Sequence, residues 1–312
     1  MSSTPTTLPT KGDASLRSGL VAGLASYVLW GFLPLLFKLL DGVPAPTIVA
    51  DRTLWSLVLV GIILVVAGRT AEIRAVLADR RTLWAIAVAA LLLGANWLVY
   101  VYAVETGQVL EASFGYFINP IMNVAIGMVL FGERLNRWQT LAVAIALVAV
   151  AIQAVGLGGV PYVALALAFS FAAYGYIRKT AQASSATGHF VETLLLAPIA
   201  ILYLLFTFFR DGGLGPHADP STLGLLILTG PATAAPLLLF AFAVQRLRLT
   251  TIGMLQYVAP SLQFLLAIAV FGEHLNAVRL GSFALIWLSL VIYTIDSVVR
   301  HRAARVPEPL KL

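Results

Sequence analysis

The sequence predicts an all-α integral membrane protein with ten transmembrane helices in two halves of inverted topology. Three observations carry that expectation: an apolar composition, ten segments of membrane-spanning length, and a stretch that returns at a constant shift of 140 residues. The 312 residues are 60% hydrophobic and 11% charged, with mean hydropathy +0.93. Soluble domains hold roughly 45–50% apolar and about 25% charged residues. A formal net charge of +6 raises the question of nucleic acid, but Lys and Arg are scattered through short loops and form no basic face. No nucleic-acid partner is expected; the partners are the lipid bilayer and a small-molecule substrate. With no cysteine and four scattered histidines, neither a disulfide, a metal site nor another cofactor is implied.

Residues 1–16 are rich in Ser, Thr and Pro and read as a disordered cytoplasmic tail. The apolar run that follows is longer than the ~7–15 residue core of a signal peptide and reads as the first span. Since about 20 apolar residues cross the hydrocarbon core, the segments are 18–39, 46–67, 82–103, 109–131, 138–156, 160–179, 190–209, 222–244, 250–271 and 278–299. Their connections are short, marked by Pro, Gly or charge, and only 210–221 is a sizeable outer loop. With the N-terminus inside, the inner side carries Lys11, Arg17, Arg69, Arg74, Arg80, Arg81, Arg134, Arg137, Arg178, Lys179, Arg246, Arg248, Arg300, Arg302, Arg305 and Lys311. That is 16 of the 20 Lys and Arg, so both termini are expected in the cytoplasm of a bacterial inner-membrane protein.

Five spans per half then place the second half upside down relative to the first. The expected units are 17–156 and 157–300, with 301–312 as a second cytoplasmic tail. Residues 115–136 (GYFINPIMNVAIGMVLFGERLN) match 255–276 (LQYVAPSLQFLLAIAVFGEHLN) at six of 22 positions, including Pro120 with Pro260 and Phe131-Gly132-Glu133 with Phe271-Gly272-Glu273. Trp30-Gly31-Phe32 resembles Tyr174-Gly175-Tyr176, and Arg52 falls opposite Glu192. Inverted halves suggest alternating access, with Pro120 and Pro260 as hinges.

The runs Asn96-Trp97-Leu98, Leu110-Glu111-Ala112-Ser113, Gly115 to Pro120, Ala168-Phe169-Ser170-Phe171 and Arg246-Leu247-Arg248-Leu249 resemble those of RarD-type proteins. These form the chloramphenicol-sensitivity branch of the EamA group in the drug/metabolite transporter superfamily. The resemblance covers about residues 17–300. It implies ten helices in two inverted repeats around a central cavity, and export or facilitated passage of small metabolites or drugs. It names no substrate. The family pattern has Glu and His at the places of Thr47 and Asp51, and the departure here puts any proton-coupling role of those two positions in doubt.

On the fourth span Glu111, Gly115, Asn119, Asn123 and Gly127 recur every four residues, a polar and small stripe. It reads either as a cavity wall or as a kinked packing helix whose amides bond its neighbours. The candidate substrate-binding residues are Trp30, Arg52, Asn96, Tyr100, Tyr116, Asn119, Asn123, Tyr174, Glu192, Gln256, Tyr257 and Gln263. Their amides, phenols and aromatic faces suit a small neutral, zwitterionic or amphipathic solute, amino-acid-like or amphenicol-like. Ionisable groups at membrane depth are costly and normally paired or wetted. Arg52 and Glu192 therefore read as a mutual pair, as separate contacts to a substrate's carboxylate and ammonium, or as structure. Glu111, Asp51 and Glu192 are the candidates for coupling to protons.

Gly132 and Gly272 read as helix terminators, and Asn136 and Asn276 as N-caps, Asn136 with Gln139 at capping-box spacing. Glu133 and Glu273 then belong to span ends. An enzyme would need a nucleophile, metal set or acid pair, and an ATP-driven pump a phosphate loop; no such motif is present. No catalytic residue is expected. A channel or uncoupled facilitator is the alternative to a secondary transporter, although no repeated filter sequence is seen.

Overall fold

The computed structural model describes residues 11–105, 109–155, 162–270 and 277–303. These hold twelve α-helices: α1 (Lys11–Leu39), α2 (Ala45–Val66), α3 (Thr70–Ala78), α4 (Arg80–Glu105), α5 (Val109–Phe131), α6 (Arg137–Val155), α7 (Tyr162–Thr180), α8 (Ser185–Asp211), α9 (Pro220–Val244), α10 (Leu249–Gln256), α11 (Val258–Ala269) and α12 (Ala277–Ala303). A single 3₁₀ turn, Gly215–Ala218, joins α8 to α9, and no strand occurs among the described residues. Seven candidate spans are long and apolar enough to cross a membrane, six of them within α1, α2, α4, α8, α9 and α12 and one running from α10 into α11. Shorter apolar helical runs cover Gly115–Phe131 and Arg137–Ile152. This is a multi-pass integral membrane protein.

Three features depart from the expected elements, the first being that α1 begins at Lys11, inside the stretch expected as a disordered tail. Helix α3 is an unforeseen short amphipathic helix whose Val76 is buried and whose Glu72 pairs with Arg69 just before it. The ninth segment is two helices, broken at Tyr257 three residues before Pro260. Pro260 has no N–H for the carbonyl of Gln256, one turn earlier, and the Tyr257 N–H turns back to Met254 O at 3.3 Å instead. Pro120, its partner in the repeat, lies inside the continuous helix α5.

Helix ends follow local chemistry. Helix α5 stops before Gly132, which adopts φ +62°. The Asn136 side chain accepts from the N–H groups of Trp138 and Gln139 at 2.8 and 3.0 Å, and the Gln139 side chain accepts from Asn136 N–H, closing the box its spacing called for. Gly272, Glu273 and Asn276 lie outside the described residues, as do the first ten residues and the 156–161 connection. Glu133 does more than end a span. Its carboxylate accepts from Leu249 and Thr250 N–H at 2.8 and 3.0 Å and so caps the N-terminus of α10.

Gly115, Asn123 and Gly127 of the stripe on α5 form a packing seam. Gly115 lies against Ala164 and Leu167 of α7, and Gly127 against Glu133 and Leu249. Asn123, fully buried, donates to Gln256 at 2.8 Å across the crossing with α10. There the backbones approach so closely that a Cβ on Gly253 would stand 2.5 Å from the Pro120 carbonyl. Small residues allow such approach, and the buried amides bond across it.

Candidate substrate recess and the buried charge cluster beneath it

Arg52 projects from α2 toward α4, α5 and α9. Its Nε donates to Thr233 Oγ1 at 3.0 Å, and the guanidinium lies over the Trp97 ring, 4.4 Å from its centre. The phenols of Tyr100 and Tyr116 stand near enough to act on its charge, with their ring centres 6.4 Å apart. These residues are surrounded by protein, yet Arg52 and Tyr100 are only half-buried and Tyr116 is 42% exposed. We call this partly exposed cluster the recess. Below them Trp30, Phe171, Tyr27, Tyr174 and Phe240 form an aromatic layer, with Trp30 and Phe171 centred 5.7 Å apart and Tyr174 stacked on Phe240 at 6.0 Å.

Beneath that layer sits a charge cluster. Glu192 and Arg178 are fully buried, with Nε to Oε1 at 3.5 Å. The other carboxylate oxygen accepts from the Tyr174 hydroxyl at 3.3 Å and lies 3.4 Å from His189 Nδ1. Arg178 also donates to the carbonyls of Ser184 and Ser185. Even so, Arg178 Nη1, Glu192 Oε1 and His189 Nε2 have no hydrogen-bond partner among the described residues. Burying charge without full pairing is costly, so this cluster is held by its surroundings. Gly188 makes the room: a Cβ there would lie 1.9 Å from Arg178 Nη1.

Of the alternatives open for Arg52 and Glu192, the mutual pair is not formed, because each group is engaged elsewhere on opposite sides of the aromatic layer. Asp51 turns away from the recess to His217 Nε2 at 2.8 Å and to Trp55 Nε1 at 3.3 Å. Glu111 lies on α5, but its side chain is outside the described residues. Asn96 donates to Leu167 O and Ser170 Oγ, Tyr257 to Phe117 O at 3.2 Å, and Gln263 to Trp30 O at 3.1 Å. That last carbonyl lacks a helical donor because Pro34 stands one turn later. Asn119 is buried, and its Oδ1 has no hydrogen-bond partner among the described residues. The structure therefore brings Trp30, Arg52, Tyr100 and Tyr116 to the recess, places Tyr174 and Glu192 beneath it, and puts most of the amides to work between helices.

Sequence reasoning missed Arg178, His189, His217 and Thr233. Arg178 was counted as an inner-loop cation; beside Lys179 at a span end, nothing local distinguishes it from a topology signal. Lys179 behaves more nearly as expected, donating to the carbonyls of Val244 and Leu247 at the end of α9. His217 meets Asp51 only through the fold.

On the cytoplasmic side of the expected topology, Glu72 of α3 takes a bidentate contact from Arg69, at 2.6 and 2.8 Å. It also accepts from Ser184 and Thr187 at the start of α8, at 3.0 and 2.9 Å. The Arg69 bond, with help from the two hydroxyls, holds this carboxyl below its ordinary range.

A multi-pass helical bundle with a partly polar recess above a buried ion cluster fits the class of membrane transport proteins. The EamA-like transporter family matches over residues 17–154. An uncharacterized transporter of Pseudomonas aeruginosa is 44% identical over 95% of this chain and 99% of its own. The protein RarD of Escherichia coli is 39% identical over 92% of this chain and 97% of its own. A chloramphenicol-sensitive protein RarD of Pseudomonas aeruginosa is 29% identical over 92% and 97%. The chain belongs to the RarD-type branch of the EamA-like transporters. A solved crystal structure at 20% identity has a TM-score of 0.69 over 90% of this chain and 98% of that one, a likeness of fold alone.

Proposed function

We propose that this chain is a secondary transporter that exports small metabolites or drugs across the bacterial inner membrane by alternating access. On this reading it crosses the bilayer ten times, with residues 17–156 and 157–300 as inverted halves and both termini cytoplasmic. The observation that carries it is the recess, accessible at Arg52, Tyr100 and Tyr116 and closed beneath by the aromatic layer and the Arg178–Glu192–His189 cluster.

The pattern of helix contacts supports the inverted halves. Let α1, α2, α4, α5 and α6 correspond to α7, α8, α9, α10–α11 and α12. The packing of α1 on α9 then exchanges with that of α7 on α4, and α2 on α9 with α8 on α4. Likewise α5 on α7 exchanges with α11 on α1, while α2–α8, α5–α10 and α6–α12 map onto themselves. A carrier built from two such halves exposes one central site alternately. Glu192 with His189 is the site we assign to coupling with protons: the two side chains meet at 3.4 Å, fully buried beneath the recess and beside Arg178. Amphenicol-like and amino-acid-like solutes are the first to try, given the name of one relative.

Reconstituted protein should give saturable flux of labelled solutes, mutually competing and independent of ATP, that responds to an imposed pH gradient. Large unitary currents would replace the carrier with a channel. Flux that is unchanged in Glu192→Gln under every pH gradient would remove Glu192 from the coupling step.

A further inference from the structure

Among the described side chains, the polar groups that meet in the recess are the Arg52 guanidinium and the phenols of Tyr100 and Tyr116. Arg52 spends Nε on Thr233, and its Nη1 and Nη2 make no hydrogen bond among the described residues. Trp97 covers one face of the guanidinium, so the fork is held flat with its terminal N–H groups free. Asp51 and Glu192, the acids the sequence associates with Arg52, are both engaged elsewhere. Asp51 is taken by His217 and Trp55, and Glu192 by Arg178, His189 and Tyr174 under the aromatic layer.

A guanidinium in such a place is matched best by a planar, two-oxygen anion. One guanidinium matches one negative charge. Around it, Trp30, Phe171 and Tyr116 supply flat faces for a ring. An ammonium, by contrast, finds the positive charge of Arg52 and no described carboxylate to receive it.

We propose that the recess binds monoanionic aromatic carboxylates, with Arg52 as the anion site, and selects against amino-acid zwitterions and amines. This rests on the recess being the solute path. It reorders the solutes of that reading, placing the acid ahead of the neutral amphenicol-like and the zwitterionic amino-acid-like ones.

The test uses the full chain in lipid nanodiscs and three probes that share one skeleton: 3-phenylpropanoate, its amide, and phenylalanine. Equilibrium binding should favour the acid over both others by about 10- to 100-fold, the value of a charge-assisted pair. Arg52→Gln should erase that preference and Arg52→Lys restore part of it. Should Arg52→Gln fail to fold, the preference among the three probes in the unaltered chain decides alone. Equal or tighter binding of the amide or of phenylalanine overturns the proposal. Counterflow in proteoliposomes separates it from the broader reading. Binding of the acid without counterflow keeps the anion site and sinks the transporter. Carriage of neutral solutes with no binding of the acid keeps the transporter and sinks the anion site.

Discussion

Arg178 and Glu192 show how far a single residue's environment can differ from what its neighbours in sequence suggest. Both are fully buried, and neither is fully hydrogen-bonded. Removing one partner strands the other, so Arg178→Ala should cost about 3–5 kcal/mol, while the paired change Arg178→Met with Glu192→Leu should recover most of it. Thermal midpoints in detergent check both. Gly188→Ala should act like Arg178→Ala, because its methyl takes the space of the guanidinium. Glu72 offers a pH test. Its folded-state carboxyl is depressed below the ordinary 4.5, so its contribution is full above that value and lost as pH falls through the depressed one. Protection of the amides of residues 70–78, taken relative to their intrinsic exchange rates, should therefore stay high at pH 5 and fall only in stronger acid. Protection already lost at pH 5 would mean that the bonds to Ser184 and Thr187 do not hold α3. The recess aromatics and Arg52 were legible as candidates because residue type alone limits what can sit at membrane depth. Their partners were not, since Thr233 lies 181 positions from Arg52 and His217 lies 166 from Asp51.

Among the elements, ends were more legible than bends. Asn136 with Gln139 acts through bonds two and three residues long, and Gly132 through its own φ of +62°, both of which local sequence encodes directly. The break at Tyr257 depends on what surrounds it: Pro120 and Pro260 lie at equivalent places, yet one helix continues and the other splits. The stripe on α5 was undecided between wall and seam because both need small and polar residues at the same spacing; the approach of α7 and α10 makes it a seam at Gly115, Asn123 and Gly127. Replacing Gly253 by Val should force α10 off the Pro120 carbonyl and cost about 1–3 kcal/mol. Glu133→Ala should remove the cap of α10 and cost about 1 kcal/mol. If Glu133→Ala leaves the thermal midpoint unchanged, the two N–H contacts are not what anchors α10.

For the whole molecule, hydropathy and the 140-residue repeat made a multi-pass helical protein legible before any coordinates. The closed base of the recess was not, because it is assembled from α7 and α8 against α1 and α9. The central claim is that this base and the recess mouth open in alternation. The chain has no cysteine, so one introduced thiol reports alone. Tyr116→Cys in oriented vesicles should react with a membrane-impermeant maleimide from the side opposite the termini. Adding Glu192→Ala should raise labelling from the terminal side while lowering it from the other. Simultaneous increase from both sides, or labelling that ignores Glu192→Ala, would contradict alternating access.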